Sequence, residues 1–151
     1  KESDTKVSIS LSDPNIVNAF KNEIKTLLDM KCDLVFCNED EALAYTEKDN
    51  ILDAVQIFKE TSPNFLITQG SSGCLGFDGK NEFNIPGIKV NAIDTNGAGD
   101  MFAGAVLYCI SSGSSLEKGA IFGCYAASKV VGNVGPRLIK NEYYEIKNNF
   151  F

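Results

Sequence analysis

The 151-residue chain has no histidine and no tryptophan, and only two methionines and four prolines. Without histidine it cannot itself form a Ser-His-Asp or Cys-His nucleophile, nor any zinc site that uses an imidazole. Its five cysteines (Cys32, Cys37, Cys74, Cys109 and Cys124) include no C-x-x-C pair, and an odd number leaves one over from any full pairing. Most lie in apolar runs, which predicts reduced core residues in a cytoplasmic protein. Positive charge is scarce as well. Against 20 Asp+Glu stand 14 Lys+Arg, a formal net charge of −6, which argues against nucleic acid and anionic membrane as partners. Any phosphate must then be held by local groups, chiefly backbone N–H. No uncharged apolar run reaches the roughly 18 residues of a membrane-spanning helix. No leader pattern is read at the start, and Lys1 in place of Met reads as a fragment boundary.

What is present suits a globular chain, with 44% hydrophobic and 23% charged residues. The length predicts one domain able to bury roughly 68–70% of its unfolded surface. Alternation over residues 7–11 predicts a strand. Asp13-Pro14 is an N-cap followed by proline at the first helical position. Ile16, Phe20, Ile24 and Leu27/Leu28 then recur at helical spacing, which predicts one helix to about residue 30. The apolar run 33–37 suits a strand buried on both faces, with a short helix starting directly at its carboxyl end. A helix over 51–60 and a strand over 65–68 follow. This β-α-β-α-α-β order predicts parallel strands joined by right-handed crossovers. Beyond it come a hairpin (74–77 with 82–85), a further strand at 88–93, and a helix to about residue 110. A helix over 116–131 is capped by Ser114 or Ser115, and a last helix covers 141–148.

The strongest chemical signal is Asp94-Thr95-Asn96-Gly97-Ala98-Gly99-Asp100, between a predicted strand and a predicted helix. Three residues with little or no side chain leave helix-start amides unshielded, and those amides with the helix dipole make an anion site. Asp100 falls in the first turn beside any anion held there. An isolated Gly-x-Gly-Asp is more often a tight turn with an acidic cap. Two further turns shift that balance. Thr68-Gln-Gly70-Ser-Ser-Gly73 follows another strand. Asn38-Glu39-Asp40-Glu41 follows a third, with Asn38 and Glu41 on one face of a first helical turn. That pair suits a hard cation or its waters, or it simply complements the helix dipole. All three are expected at the carboxyl edge of a parallel sheet, where ligands bind.

Together these segments resemble the D-T-x-G-A-G-D, N-x-x-E and second phosphate-turn motifs of the ribokinase-like carbohydrate kinases (the PfkB family). The resemblance runs from Leu11 to Leu138 and implies a three-layer α/β/α fold with a mainly parallel sheet, here incomplete. It implies Asp100 as catalytic base, with Gly97, Ala98 and Gly99 forming an anion hole for the transferring phosphoryl group. Thr68, Gly70 and Gly73 would hold the ATP phosphates. Asn38 and Glu41 would organise Mg²⁺ through water, and Asp94 would help bind K⁺. Residues 119–133, ending at Asn133, are similar to the segment lining the family's adenine pocket. The substrate implied is a small sugar or nucleoside phosphorylated on a hydroxymethyl group, and the assembly a homodimer. The stretches Lys129 to Leu138 and Leu11 to Pro14 resemble adenosine kinase-like proteins, which favours adenosine over ribose or fructose. The resemblance makes residues 1–151 the carboxyl-terminal, ATP-binding half of such a kinase, without the half that carries the lid and acceptor contacts. The isolated chain is therefore expected to be nearly inactive.

Two other readings stand beside this one. A non-catalytic nucleotide- or sugar-binding module of the same fold would have no use for Asp100. A dinucleotide-dependent dehydrogenase would need G-x-G-x-x-G after the first strand, which is missing.

Overall fold

A computed structural model describes residues 5–30 and 32–151. The alternating start forms strand β1 (Ser8–Ser10), and the two solid apolar runs form β2 (Leu34–Asn38) and β3 (Phe65–Thr68). Every residue of β2 and β3 but the last is buried, as expected of strands covered on both faces. β1–β2 and β2–β3 pair in parallel, and Asn38 lies opposite Thr68 in the register. Helices α1 (Pro14–Ala19), α2 (Lys21–Asp29), α3 (Glu39–Thr46) and α4 (Ile51–Thr61) are interleaved with them. A 3-10 turn (Gly70–Ser72) then leads into β4 (Gly73–Phe77) and β5 (Glu82–Pro86), completing the sheet order β1-β2-β3-β4-β5. The chain ends in helices α5 (Ala98–Ser111), α6 (Leu116–Val131) and α7 (Lys140–Phe150).

Contacts divide the chain into two compact units. One takes the chain up to Gln69 plus Leu75–Phe83; the other takes Gly70–Cys74 plus Asn84–Phe151. In the first, Val17, Leu28, Val35, Phe58, Phe65 and Ile67 belong to a common core. Its rings meet in succession, tilted to one another, from Tyr45 to Phe58, Phe65 and Phe77, with centroids 5.5, 5.5 and 5.6 Å apart. In the second, Ala105 and Cys109 of α5 pack with Phe122, Ala126 and Val130 of α6 and Ile146 of α7. Four cysteines are buried and Cys124 is half-buried, with no disulfide among the described residues. Burial pushes the Cys124 thiol up to about 11.

The structure corrects two expectations. The single helix to residue 30 is broken at Phe20, whose φ of −123° and ψ of 31° leave the helical region. The inward face is carried by Val17, Ile24 and Leu28, which are buried, whereas Ile16, Phe20 and Leu27 are exposed. Residues 88–93 form no strand. Ile88, Val90 and Ile93 are all exposed, and the Ile93 and Asp94 N–H groups donate to the Val131 carbonyl at the end of α6. With that carbonyl as partner and no strand pairing among the described residues, the segment is an irregular connection.

Candidate active site

In the second unit the site grows from the turn before α5. Gly97 is its N-cap, with φ of 77°, and no side chain caps the helix. The left-handed φ requires glycine here, and so does space: a Cβ on Gly97 would meet the Pro136 carbonyl oxygen at 2.4 Å. The first helical bond runs from Met101 N–H to Gly97 O at 2.9 Å. The Ala98 N–H donates to Thr95 O at 3.3 Å. Of the three residues expected to present amides, Ala98 is thus the one already engaged. The N–H groups of Gly97, Gly99 and Asp100 meet no acceptor among the described residues, and a Cβ on Gly99 would find nothing within 4 Å. Unpaired donors, a helix start and open space fit a phosphate.

Asp94 braces this turn. Its Oδ1 accepts from Asn96 N–H at 2.9 Å and its Oδ2 from Gly135 N–H at 3.0 Å. Those two donors hold its carboxyl below the usual aspartate range. The Asp94 side chain therefore ties the motif to the loop after α6, and its oxygens already serve that purpose. Gly97, Asp100, Pro136 and Arg137 line a cleft of about 580 Å³ shared with Tyr108 and Tyr143. Asp100 and Arg137 are exposed, and no ion pair joins them among the described residues. Asn133 stands outside the cleft lining; its side-chain amide caps the Lys129 carbonyl at 2.9 Å.

The second glycine turn divides between two tasks. A Cβ on Gly73, at φ of 107°, would lie 2.0 Å from Ile85 O and 2.5 Å from Gly87 N. Gly73 is required by this backbone crossing, which Gly87 N–H closes onto Ser72 O at 3.1 Å. Gly70 borders open space.

In the first unit, the register places Asn38 and Thr68 side by side at the carboxyl ends of β2 and β3. Asn38 and Glu41 form a capping box at the start of α3. Glu41 N–H donates to Asn38 Oδ1 at 2.8 Å, while Asn38 N–H and Nδ2 donate to Glu41 Oε2 and Oε1 at 3.0 and 2.8 Å. Glu41 is 5% exposed, and burial raises its carboxyl above the usual glutamate range. Next to this box, Gln69 Nε2 donates to Glu39 Oε2 at 2.9 Å. No cluster of three or more acidic or thiol side chains able to hold a metal occurs among the described residues. With both Glu41 oxygens accepting from Asn38, this pair fits the water shell of a hard cation rather than direct ligation.

Sequence reasoning missed Arg137 and the Asp94–Gly135 bond. The only signal for them is Gly135-Pro136-Arg137 in a loop-like stretch, 41 positions from Asp94 along the chain.

The chain belongs to the pfkB family of carbohydrate kinases, whose model matches residues 1–142. It is 36% identical over 108 residues to a cytidine kinase of Thermococcus kodakarensis, covering 70% of this chain and 39% of that one. The structure matches that of an adenosine kinase from Sinorhizobium meliloti with a TM-score of 0.89 at 27% identity, over 95% of this chain and 45% of that one. A ribokinase from Thermotoga maritima shares the fold, with a TM-score of 0.80 at 24% identity, over 97% of this chain and 50% of that one. The α/β fold is thus ribokinase-like. The chain spans half or less of the length of each of these relatives. No helix among the described residues is long and apolar enough to cross a membrane.

Proposed function

We propose that this chain is the ATP-binding and catalytic part of a kinase that phosphorylates a hydroxymethyl group on a sugar or nucleoside. One observation carries the reading: unpaired amides of Gly97, Gly99 and Asp100 at the start of α5, with the Asp100 carboxylate in the same turn. MgATP supplies the phosphoryl group when bound. Thr68 and Gly70 are assigned to its phosphates, Gly73 to shaping that turn, and Asn38 with Glu41 to positioning the waters of Mg²⁺. Asp94 with its loop is assigned to K⁺, and Asn133 to the segment beside the adenine.

Asp100 accepts the hydroxyl proton while the acceptor oxygen bonds to phosphorus and the bond from phosphorus to the ADP oxygen breaks. A carboxylate is too weak a base to strip an alcohol beforehand. Transfer of the proton during the step suits a loose transition state, which needs little prior activation of the nucleophile. The unpaired amides stabilise charge as it spreads over the phosphoryl oxygens, so positioning and backbone electrostatics do most of the catalysis.

ATP consumption by the full-length protein, screened against adenosine, ribose and fructose, tests the reading. Adenosine is expected to be preferred, on the likeness of residues 129–138 to adenosine kinase-like proteins. Asp100→Asn is expected to lower kcat by about 10²–10⁴-fold while leaving nucleotide affinity in place. Near-normal turnover in that variant would remove Asp100 from the base role. Nucleotide binding without turnover of any acceptor would favour the non-catalytic module.

A further inference from the structure

The cleft beside the α5 turn contains a cation that the roles assigned so far leave unused. Arg137 lines it together with Gly97 and Asp100. Its backbone is held on both sides. Gly135 N–H is tied to Asp94 Oδ2 at 3.0 Å, and Pro136 sits so close to Gly97 that no side chain fits between them. On the other side Leu138 is buried in the core of the second unit. Arg137 itself is exposed between these anchors, and no ion pair engages it among the described residues. Lys147, the other cation lining the cleft, sits over the Tyr108 ring, 5.3 Å from its centre.

A planar guanidinium presents a fork of donors matched to phosphate oxygens. The neighbouring donors in this cleft are the unpaired helix-start amides, which favour the same anion. In a chain of net charge −6, Arg137 supplies positive charge beside this turn that the surface at large does not.

Resting on the kinase reading above, we propose that Arg137 grips the terminal phosphoryl group of the nucleotide and stabilises the charge that develops on it during transfer. The anchored Gly135-Pro136 segment fixes the backbone from which this arm projects, so little backbone ordering remains for the bound state.

The test compares binding of a non-hydrolysable ATP analogue and of ADP to the full-length protein by titration calorimetry, in the wild type, Arg137→Ala and Arg137→Lys. Arg137→Ala is expected to weaken the analogue at least tenfold and leave ADP within twofold. Arg137→Lys is expected to recover part of the loss, because a point charge replaces the fork. Equal loss for both nucleotides would mean that Arg137 supports the loop, and no loss for either would mean that it faces solvent only; each result overturns the proposal. If the wild type binds neither nucleotide, the kinase reading itself fails. An unchanged melting temperature in both variants is expected, since the side chain is exposed.

Discussion

Gly97 and Gly99 are two residues apart and answer to different constraints. Gly97 has a left-handed φ and stands against Pro136, so the fold itself demands it. Gly99 borders open space, so only a ligand would object to a side chain there. Gly97→Ala is therefore expected to cost at least about 1–3 kcal/mol of stability from backbone strain, with Pro136 displaced as well. Gly99→Ala is expected to leave stability unchanged or raise it by up to about 1 kcal/mol, as alanine does in a helix. Its nucleotide affinity should nevertheless fall at least tenfold. Urea denaturation and calorimetry on the same two proteins separate these outcomes; equal stability losses would contradict the distinction. The seven-residue motif was legible because glycines next to a helix-start acid carry local backbone information. Asp94 was legible as a member of the motif, but not as its brace, because Gly135 approaches only through the fold.

At the scale of elements, the β2–α3 junction shows a pair of residues with a structural task whatever else they do. Asn38 caps α3, and Glu41 closes the box while nearly buried. Truncating the Asn38 side chain takes away the cap and one of the two donors to Glu41, the Nδ2 group, while the backbone N–H of residue 38 stays. Asn38→Ala is expected to cost about 1–3 kcal/mol. The sign of its pH dependence follows from Glu41, whose folded carboxyl already titrates above its unfolded value. Below the ordinary glutamate range the carboxyl is neutral in both states and the missing donor matters least. As pH rises through the raised folded value, the buried carboxylate ionises with one donor fewer and the loss grows. Chemical denaturation of wild type and Asn38→Ala at about pH 4 and pH 7 checks this, and a difference larger at the acid end would contradict it. The strands β2 and β3 were readable in advance because a strand buried on both faces is apolar at every position. The break at Phe20 was not, because the stripe through Ile16, Phe20 and Ile24 is helical whether or not that face turns inward. The segment 88–93 misled for a related reason. Its β-branched residues suit a strand, but a strand also needs a partner, and here the available acceptor is the end of α6.

Over the whole molecule, each unit has its own centre of stability. In the first, Phe58 is fully buried between Tyr45 and Phe65, and Phe58→Ala is expected to cost about 3–5 kcal/mol in urea unfolding. A loss below about 1 kcal/mol would mean that the ring chain is not the core it looks to be. Composition and motif spacing alone were enough to exclude histidine chemistry, argue against a broadly basic binding surface, and name the family, because those properties depend on which residues exist and on their local order. Tertiary structure decided which residues come together. It made Gly73 a crossing point, turned Asp94 into a brace, and brought Arg137 to the cleft of Asp100. Those outcomes depend on distances between segments remote in the chain, and no local pattern encodes such distances.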